Sequence, residues 1–100
     1  MPDNNGYPID AELQTIRDWP YPKGHRGLLE YVEELWWAPE WGISTEGSEW
    51  SISTGGWSGN EEIIGALQEN TMFWLMCWVQ SRRGGHYIFR VPASEGRDAP

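Results

Sequence analysis

The longest run dominated by apolar residues, Met72–Gln80 (MFWLMCWVQ), places the strongest constraint on the fold of this chain. Large apolar side chains occupy both alternating rows of the run, so neither row is polar. An aromatic-rich run of this length is typical of a central strand covered on both sides. A short turn at Gly84 and Gly85 leads to His86–Val91, which predicts that the two segments pair as an antiparallel hairpin.

Two helices are predicted. In the first, ended by Pro39, apolar residues recur at helical spacing: Leu28, Leu29, Val32, Leu35 and Trp36. Its polar face carries only carboxylates, without a Lys at i+4 to neutralise them: Glu30, Glu33 and Glu34. The second helix follows a glycine-rich bend, Gly55–Asn60, and Asn70 terminates it. Ser58 and Glu61 have capping-box spacing, and Asn60 is a competing N-cap.

The remaining segments complete an α+β prediction. Trp41–Thr45 and Glu49–Thr54 alternate as short strands with a turn at Gly47 between them. Leu13–Asp18 fits either a short helix capped by Asp10 or a short strand, and the strand is favoured because Pro residues follow directly. The result is a small single domain at 13–92, with an antiparallel sheet of about four to five strands and two helices, between flexible tails at 1–12 and 93–100.

Charge and cysteine content narrow the function classes. The chain has 15 acidic residues against 7 Lys and Arg, a net charge of −8, which argues against direct binding to nucleic acid. The single cysteine, Cys77, excludes an internal disulfide and a multi-Cys zinc site and fits a reducing cytoplasm. No apolar run is long enough to span a membrane, and no leader is apparent. A cytoplasmic protein without membrane contact is therefore expected.

Charges are segregated along the sequence. Between Gly27 and Ser81 lie nine carboxylates and no Lys, Arg or His: Glu30, Glu33, Glu34, Glu40, Glu46, Glu49, Glu61, Glu62 and Glu69. Four basic or imidazole side chains follow within nine residues: Arg82, Arg83, His86 and Arg90. The acidic stretch either only keeps the protein soluble or is presented to a basic partner, such as the nucleic-acid channel of a host enzyme.

Eight tryptophans are an unusual number for 100 residues. Four lie on apolar rows and are expected in the core: Trp36, Trp50, Trp74 and Trp78. Three lie at element ends or in loops: Trp37, Trp41 and Trp57. Because interface hot spots are enriched in Trp, these three, together with Glu30, Glu33 and Glu34, are the predicted partner-binding residues. The alternative is that these indoles pack against their own helices.

The glycine-rich bend is a second candidate site. Backbone N–H groups before a helix can bind an anion, and the predicted residues are Gly55, Gly56, Trp57, Ser58 and Asn60, with counter-charge from Arg82, Arg83 and His86. A nucleotide or another small anion is the implied ligand. However, no Walker Lys follows and Glu61 and Glu62 would repel an anion. The alternative is a turn that requires positive φ.

Nothing in the sequence predicts catalysis. Cys77 lies among apolar residues, where a thiol is inert, so a Cys77–His86 pair is not expected to be catalytic. His25 and His86 are the only imidazoles, and neither belongs to a zinc motif. We therefore expect no metal, no cofactor and no enzymatic activity.

Two motifs carry a resemblance. Ser53–Glu61 (STGGWSGNE), and then Met72–Trp74 with Ser81–Tyr87 (SRRGGHY), resemble a group of small uncharacterised proteins encoded by tailed bacteriophages, over about Leu13–Pro92. The resemblance implies viral origin and action inside a bacterial host, but no catalytic residues. The sequence thus favours a non-enzymatic phage-type protein that occupies a host component, such as a defence or nucleic-acid-handling enzyme. The alternative is a module that binds a nucleotide or another small anion.

Overall fold

The computed structural model describes residues 7–37 and 39–92, and these form an α+β domain with a four-stranded antiparallel sheet, as predicted. The helices are α1 (Asp10–Arg17), the 3-10 turn η1 (Tyr21–Lys23), α2 (His25–Leu35), α3 (Pro39–Gly42), α4 (Ser58–Glu69) and α5 (Thr71–Cys77). The strands are β1 (Ile43–Glu46), β2 (Glu49–Ser53), β3 (Trp78–Arg82) and β4 (His86–Arg90). These described helices outnumber the two expected, because three segments predicted as strands contain helical residues: Leu13–Asp18, Trp41–Thr45 and Met72–Gln80.

The sheet consists of two hairpins joined side by side in the order β1-β2-β4-β3. The β1–β2 turn contains Gly47 at φ +64°, and the β3–β4 turn contains Gly84 and Gly85 at φ +83° and +78°. Glycine adopts this region without the steric cost that a Cβ imposes. Trp50 of β2 pairs with Phe89 of β4, and both face the core. Both glycine turns were therefore predicted correctly. The strands were predicted only in part, since β1 begins at Ile43 and not at Trp41, and β3 begins at Trp78 and not at Met72.

Helix α2 confirms the predicted amphipathic helix. Its apolar residues are buried and its three carboxylates are exposed. The helix begins at His25, three residues before the first residue of the apolar row, and ends at Leu35 before Pro39, which begins α3. The earlier start adds Arg26, whose guanidinium lies 3.8 Å from the Glu30 carboxylate at i+4. One of the three carboxylates therefore has a basic neighbour, which corrects the expectation of a purely acidic face.

The strand expected at Leu13–Asp18 is wrong, because this segment belongs to helix α1. Leu13 and Ile16, three residues apart, both enter the core, as a helix allows. The Glu12 carboxylate accepts a hydrogen bond of 2.9 Å from the Ile9 N–H and closes the first turn. The predicted tail 1–12 thus includes the first turn of α1. Residues 1–6 and 93–100 lie outside the described residues.

The central strand expected at Met72–Gln80 is also wrong. The run divides into α5 and β3, and β3 is an edge strand with all five residues exposed. The cause is Asn70, whose side chain accepts a 3.1 Å hydrogen bond from the Phe73 N–H and so starts a new helix. In that helix Phe73 and Cys77, four residues apart, face the core. Asn70 also ends α4, as the sequence predicts.

Candidate functional site

Three aromatic rings lie together where the N-terminal end of the described chain meets the glycine-rich bend. Trp37 stacks on Trp57 with ring centroids 4.8 Å apart, and Tyr7 lies 4.9 Å from Trp57. The Tyr7 hydroxyl also hydrogen-bonds to Ser58 Oγ at 3.1 Å. Trp57 is half-buried, whereas 51% of Trp37 remains exposed. Two rings already pack on Trp57, which leaves Trp37 as the more accessible of these two predicted binding residues.

A buried amide fixes this arrangement. Asn60 is 2% exposed; its Oδ1 accepts a 3.0 Å hydrogen bond from the Trp37 N–H. Its Nδ2 donates to the carbonyls of Trp37 and Thr54, both at 3.3 Å. Helix α4 begins at Ser58 with Trp57 as N-cap residue and without a side-chain cap. The expected caps at Ser58 and Asn60 are therefore wrong, since Asn60 ties the chain after α2 to the bend instead.

These contacts border a small cleft, which we call the tryptophan cleft, of about 100 Å³. Its lining residues are Trp37, Trp41, Gly42, Ser53, Thr54, Gly55 and Asn60. Trp41, in helix α3, is 86% exposed. A Cβ at Gly42 would lie 2.7 Å from the Ser53 carbonyl oxygen, so only glycine allows α3 to approach β2 this closely. Sequence reasoning named the two indoles, Gly55 and Asn60 as site residues but not Gly42, Ser53 and Thr54. Ser53 and Thr54 belong to the STGGWSGNE motif, whereas no motif marks Gly42.

The two glycine-rich motifs do pack against each other. The Thr54 N–H donates to the Gly85 carbonyl at 3.0 Å, and a Cβ on Gly85 would overlap Thr54 Oγ1. Gly55 and Gly56 adopt φ +64° and +77°, so the bend has the positive-φ glycines that a tight turn requires. Both glycines are exposed and have open space around the Cβ position.

The cationic residues of the predicted anion site do not line the cleft. None of Arg82, Arg83 and His86 is among the residues that border it. Arg82 Nε donates to Gln80 Oε1 at 3.1 Å, and His86 Nδ1 hydrogen-bonds to Ser53 Oγ at 2.7 Å across β2 and β4. The bend and the turn are therefore neighbours through their backbones. The side chains of Arg82, Arg83 and His86 do not border the tryptophan cleft.

The carboxylates of α2 lie exposed, and the ion pairs of the described residues leave some of them unneutralised. Exposed pairs join Arg17 to Glu69, Arg26 to Glu30, and Arg90 to Glu49. Pairs of this kind contribute about 0–1 kcal/mol each. Within residues 7–37 and 39–92, no ion pair involves the predicted Glu33 and Glu34, or Glu40 of α3. These carboxylates remain available to a basic partner.

Not all four tryptophans expected in the core are buried. Trp36 and Trp50 are buried and Trp74 is half-buried. Trp78 is 43% exposed, so its assignment to the core is wrong. It lies on the edge strand, stacks on Trp74 at 6.0 Å, and donates from Nε1 to Ser81 Oγ at 2.9 Å.

Cys77 has a histidine neighbour that sequence reasoning missed. Its Sγ lies 3.5 Å from Nδ1 of His25 in helix α2, not near His86. Both residues are almost fully buried, and the edge of the Phe73 ring packs on His25 with centroids 5.5 Å apart. The two side chains form a buried hydrogen bond between α5 and α2. The residues are 52 positions apart, and no motif signals the pairing.

In the described part of the chain, no cluster of three or more His, Cys, Asp or Glu side chains could hold a metal ion. Among the same residues, no helix has the length and apolar content required to cross a membrane. No protein-family model matches the chain, and neither a curated protein nor a solved structure matches it. The resemblance to phage proteins is therefore still a prediction.

Proposed function

We propose that the protein is a non-enzymatic binding protein that engages a basic surface of a host protein through the tryptophan cleft and the carboxylates beside it. The observation that carries the proposal is the 86% exposure of Trp41 at the mouth of the cleft. An indole held in water forgoes about 1.5–3 kcal/mol of burial free energy, which a partner that covers it recovers. Tryptophans in this position are typical interface hot spots.

The size of the cleft favours a protein partner. Small-molecule sites usually occupy about 300–1,000 Å³, whereas the cleft measures about 100 Å³. That space suits one inserted side chain rather than a nucleotide. Its walls carry two indoles and no cation, and Glu40 precedes Trp41 in α3. Indole faces and carboxylates both attract a guanidinium, so an arginine from the partner is the side chain that fits best.

The sequence motifs support a host component as the partner. If the resemblance to tailed-phage proteins is correct, the protein acts inside a bacterial cell. Defence and nucleic-acid-handling enzymes there use basic channels to hold nucleic acid. An acidic protein that occupies such a channel would inhibit the enzyme without chemistry of its own. Inhibition of this kind is the biological role that we propose.

The decisive experiment compares capture from bacterial lysate by the wild-type chain, Trp41→Ala and the control variant Thr45→Ala. Trp41 and Thr45 are both exposed, but only Trp41 borders the cleft. We expect the wild type and Thr45→Ala to retain the same protein at low salt, and Trp41→Ala to lose it. Raised salt should release it, because exposed charges are screened. Equal capture by all three chains, or capture insensitive to salt, would refute the proposal.

A small-molecule module is the alternative. The contact between the glycine-rich bend and the β3–β4 turn supports it, and the cation-free lining of the cleft weakens it. A thermal-shift panel of nucleotides separates the two proposals. A nucleotide at 100 times its Kd would add about 2.7 kcal/mol to the free energy of unfolding. We expect no shift, and a saturable shift that Arg82→Ala abolishes would favour the alternative.

A further inference from the structure

Strand β3 forms one edge of the sheet and pairs only with β4 among the described strands. One row of its backbone N–H and C=O groups therefore has no strand neighbour in residues 7–37 and 39–92. All five of its residues are exposed. An edge strand of this kind can pair with another chain. Of the features that oppose such pairing, β3 has a register shift between Trp78 and Gln80 near its start and one charged residue, Arg82, at its end.

Exposed apolar side chains accompany this edge. Leu75 and Met72 of α5 are 76% and 50% exposed, and Trp78 and Val79 of β3 are 43% and 37% exposed. Since α5 runs directly into β3, all four lie within eight consecutive residues, and we call them the α5–β3 edge. Clustered exposed apolar residues mark interaction surfaces in folded proteins.

The charge distribution favours a second copy of the chain as the partner at the α5–β3 edge. No charged side chain occurs between Glu69 and Arg82, although the chain carries −8 overall. The opposite edge strand, β1, ends in Glu46, which pairs with Glu49 of β2. Two copies that pair antiparallel at β1 would place Glu46 and Glu49 at both ends of the contact, each against a partner that is itself negatively charged. Two copies that pair antiparallel at β3 would bring together neutral residues at the centre of the contact, and Arg82, whose charge is opposite to the net charge of the partner copy, would lie at each end.

We infer that the α5–β3 edge pairs antiparallel with the same edge of a second copy of the chain. The two-fold axis is then perpendicular to the sheet. The two sheets join into one continuous sheet, and the corresponding faces of the two copies lie on the same side of it. Helix α5 of both copies lies on one face, and Leu75 and Met72 of one copy approach those of the other. An isologous contact uses both β3 edges and closes at the dimer. The tryptophan cleft, beside β1, stays free at each outer end.

The mass of the full chain in solution tests this inference. Sedimentation equilibrium over a concentration series should show the mass rise from 11.5 kDa towards twice that value. Raised salt should strengthen the dimer, because it screens the net charge that opposes association. Binding to a basic partner has the opposite salt dependence, so the failure of one proposal is distinguishable from the failure of the other.

Charged variants at the edge locate the contact. Leu75→Glu and Val79→Lys alter exposed side chains, so the fold should persist, and each should raise the dimer dissociation constant at least about tenfold. The matched control Thr45→Lys places a charge on the other edge strand and should leave the dissociation constant unchanged. Amide exchange at Gln80–Arg82 should slow as concentration rises, while exchange at Ser44–Glu46 should not.

Three outcomes overturn the inference. One is a mass of 11.5 kDa at every concentration and salt level. Another is a dimer that persists in both Leu75→Glu and Val79→Lys, since its interface would then lie elsewhere. The third is a dimer that Thr45→Lys disrupts as strongly as the β3 variants do.

Discussion

Each of the two exposed apolar regions depends on one buried asparagine, but the two are built in different ways. The Asn60 side chain accepts a hydrogen bond from the Trp37 N–H at the tryptophan cleft. The Asn70 side chain accepts one from the Phe73 N–H at the start of α5, where the α5–β3 edge begins. Asn60 joins segments that are distant in sequence, since Trp37 lies 23 positions away. The apolar residues of the other region are almost contiguous. Exposed hydrophobic residues of similar composition can therefore form a shaped cleft or a flat edge, depending on which backbone groups a buried amide satisfies.

The larger effect is expected at Asn70. Its amide donates to the carbonyls of Ile16 at 2.9 Å and Trp19 at 3.3 Å, and its oxygen caps α5. Asn70→Ala removes the cap and leaves two carbonyls without this donor. We expect a loss of about 3 kcal/mol in the free energy of unfolding, measured by urea denaturation. A loss below about 1 kcal/mol would show that water satisfies these groups and that Asn70 does not organise α5.

Asn60→Ala should cost less, about 2 kcal/mol, because both of its donated bonds measure 3.3 Å. It should also disturb the cleft specifically. The indole N–H resonances of Trp37 and Trp57 should shift, while that of Trp78 on the opposite edge should not. Equal shifts at Trp37 and Trp78 would mean that the two regions are not independent.

The sequence predicted what depends on local periodicity and turn chemistry. Helix α2, the β1–β2 hairpin and the Gly84-Gly85 turn follow from residues within a few positions of one another. The error at Met72–Gln80 has a specific physical cause, which is a buried side chain that acts at long range. Asn70 bonds to Ile16, 54 positions away, and converts half of an apparent strand into α5. No periodicity in Met72–Gln80 signals that cap.

The candidate site could also be predicted only in part from the sequence. The exposed positions of Trp37 and Trp41 follow from their location at element ends, which the sequence displays. The partial cover of Trp57 by Tyr7 does not, because Tyr7 lies in a segment predicted to be a tail. The remaining walls of the cleft come from α3, β2 and the glycine-rich bend. Only the folded chain brings these segments together.

The smallest expected change in stability lies at the β3–β4 turn, where the Gly85 carbonyl accepts a hydrogen bond from the Thr54 N–H. Gly84 and Gly85 share the β3–β4 turn and both have positive φ, so Ala at either position is strained by about 1–2 kcal/mol. Only at Gly85 would the new Cβ also overlap Thr54, which lines the cleft; around Gly84 there is open space. We expect Gly85→Ala to exceed Gly84→Ala by about 1 kcal/mol in the free energy of unfolding.

The same pair of variants separates backbone strain from contact with the cleft. Gly84→Ala should leave the indole resonance of Trp37 and the capture of a partner unchanged, because its strain stays in the turn. Gly85→Ala pushes on Thr54, whose carbonyl accepts from Asn60, and should therefore shift that resonance and weaken capture. If both variants behave alike, the Thr54–Gly85 contact does not transmit strain, and the cleft is mechanically independent of the sheet edge that carries β3.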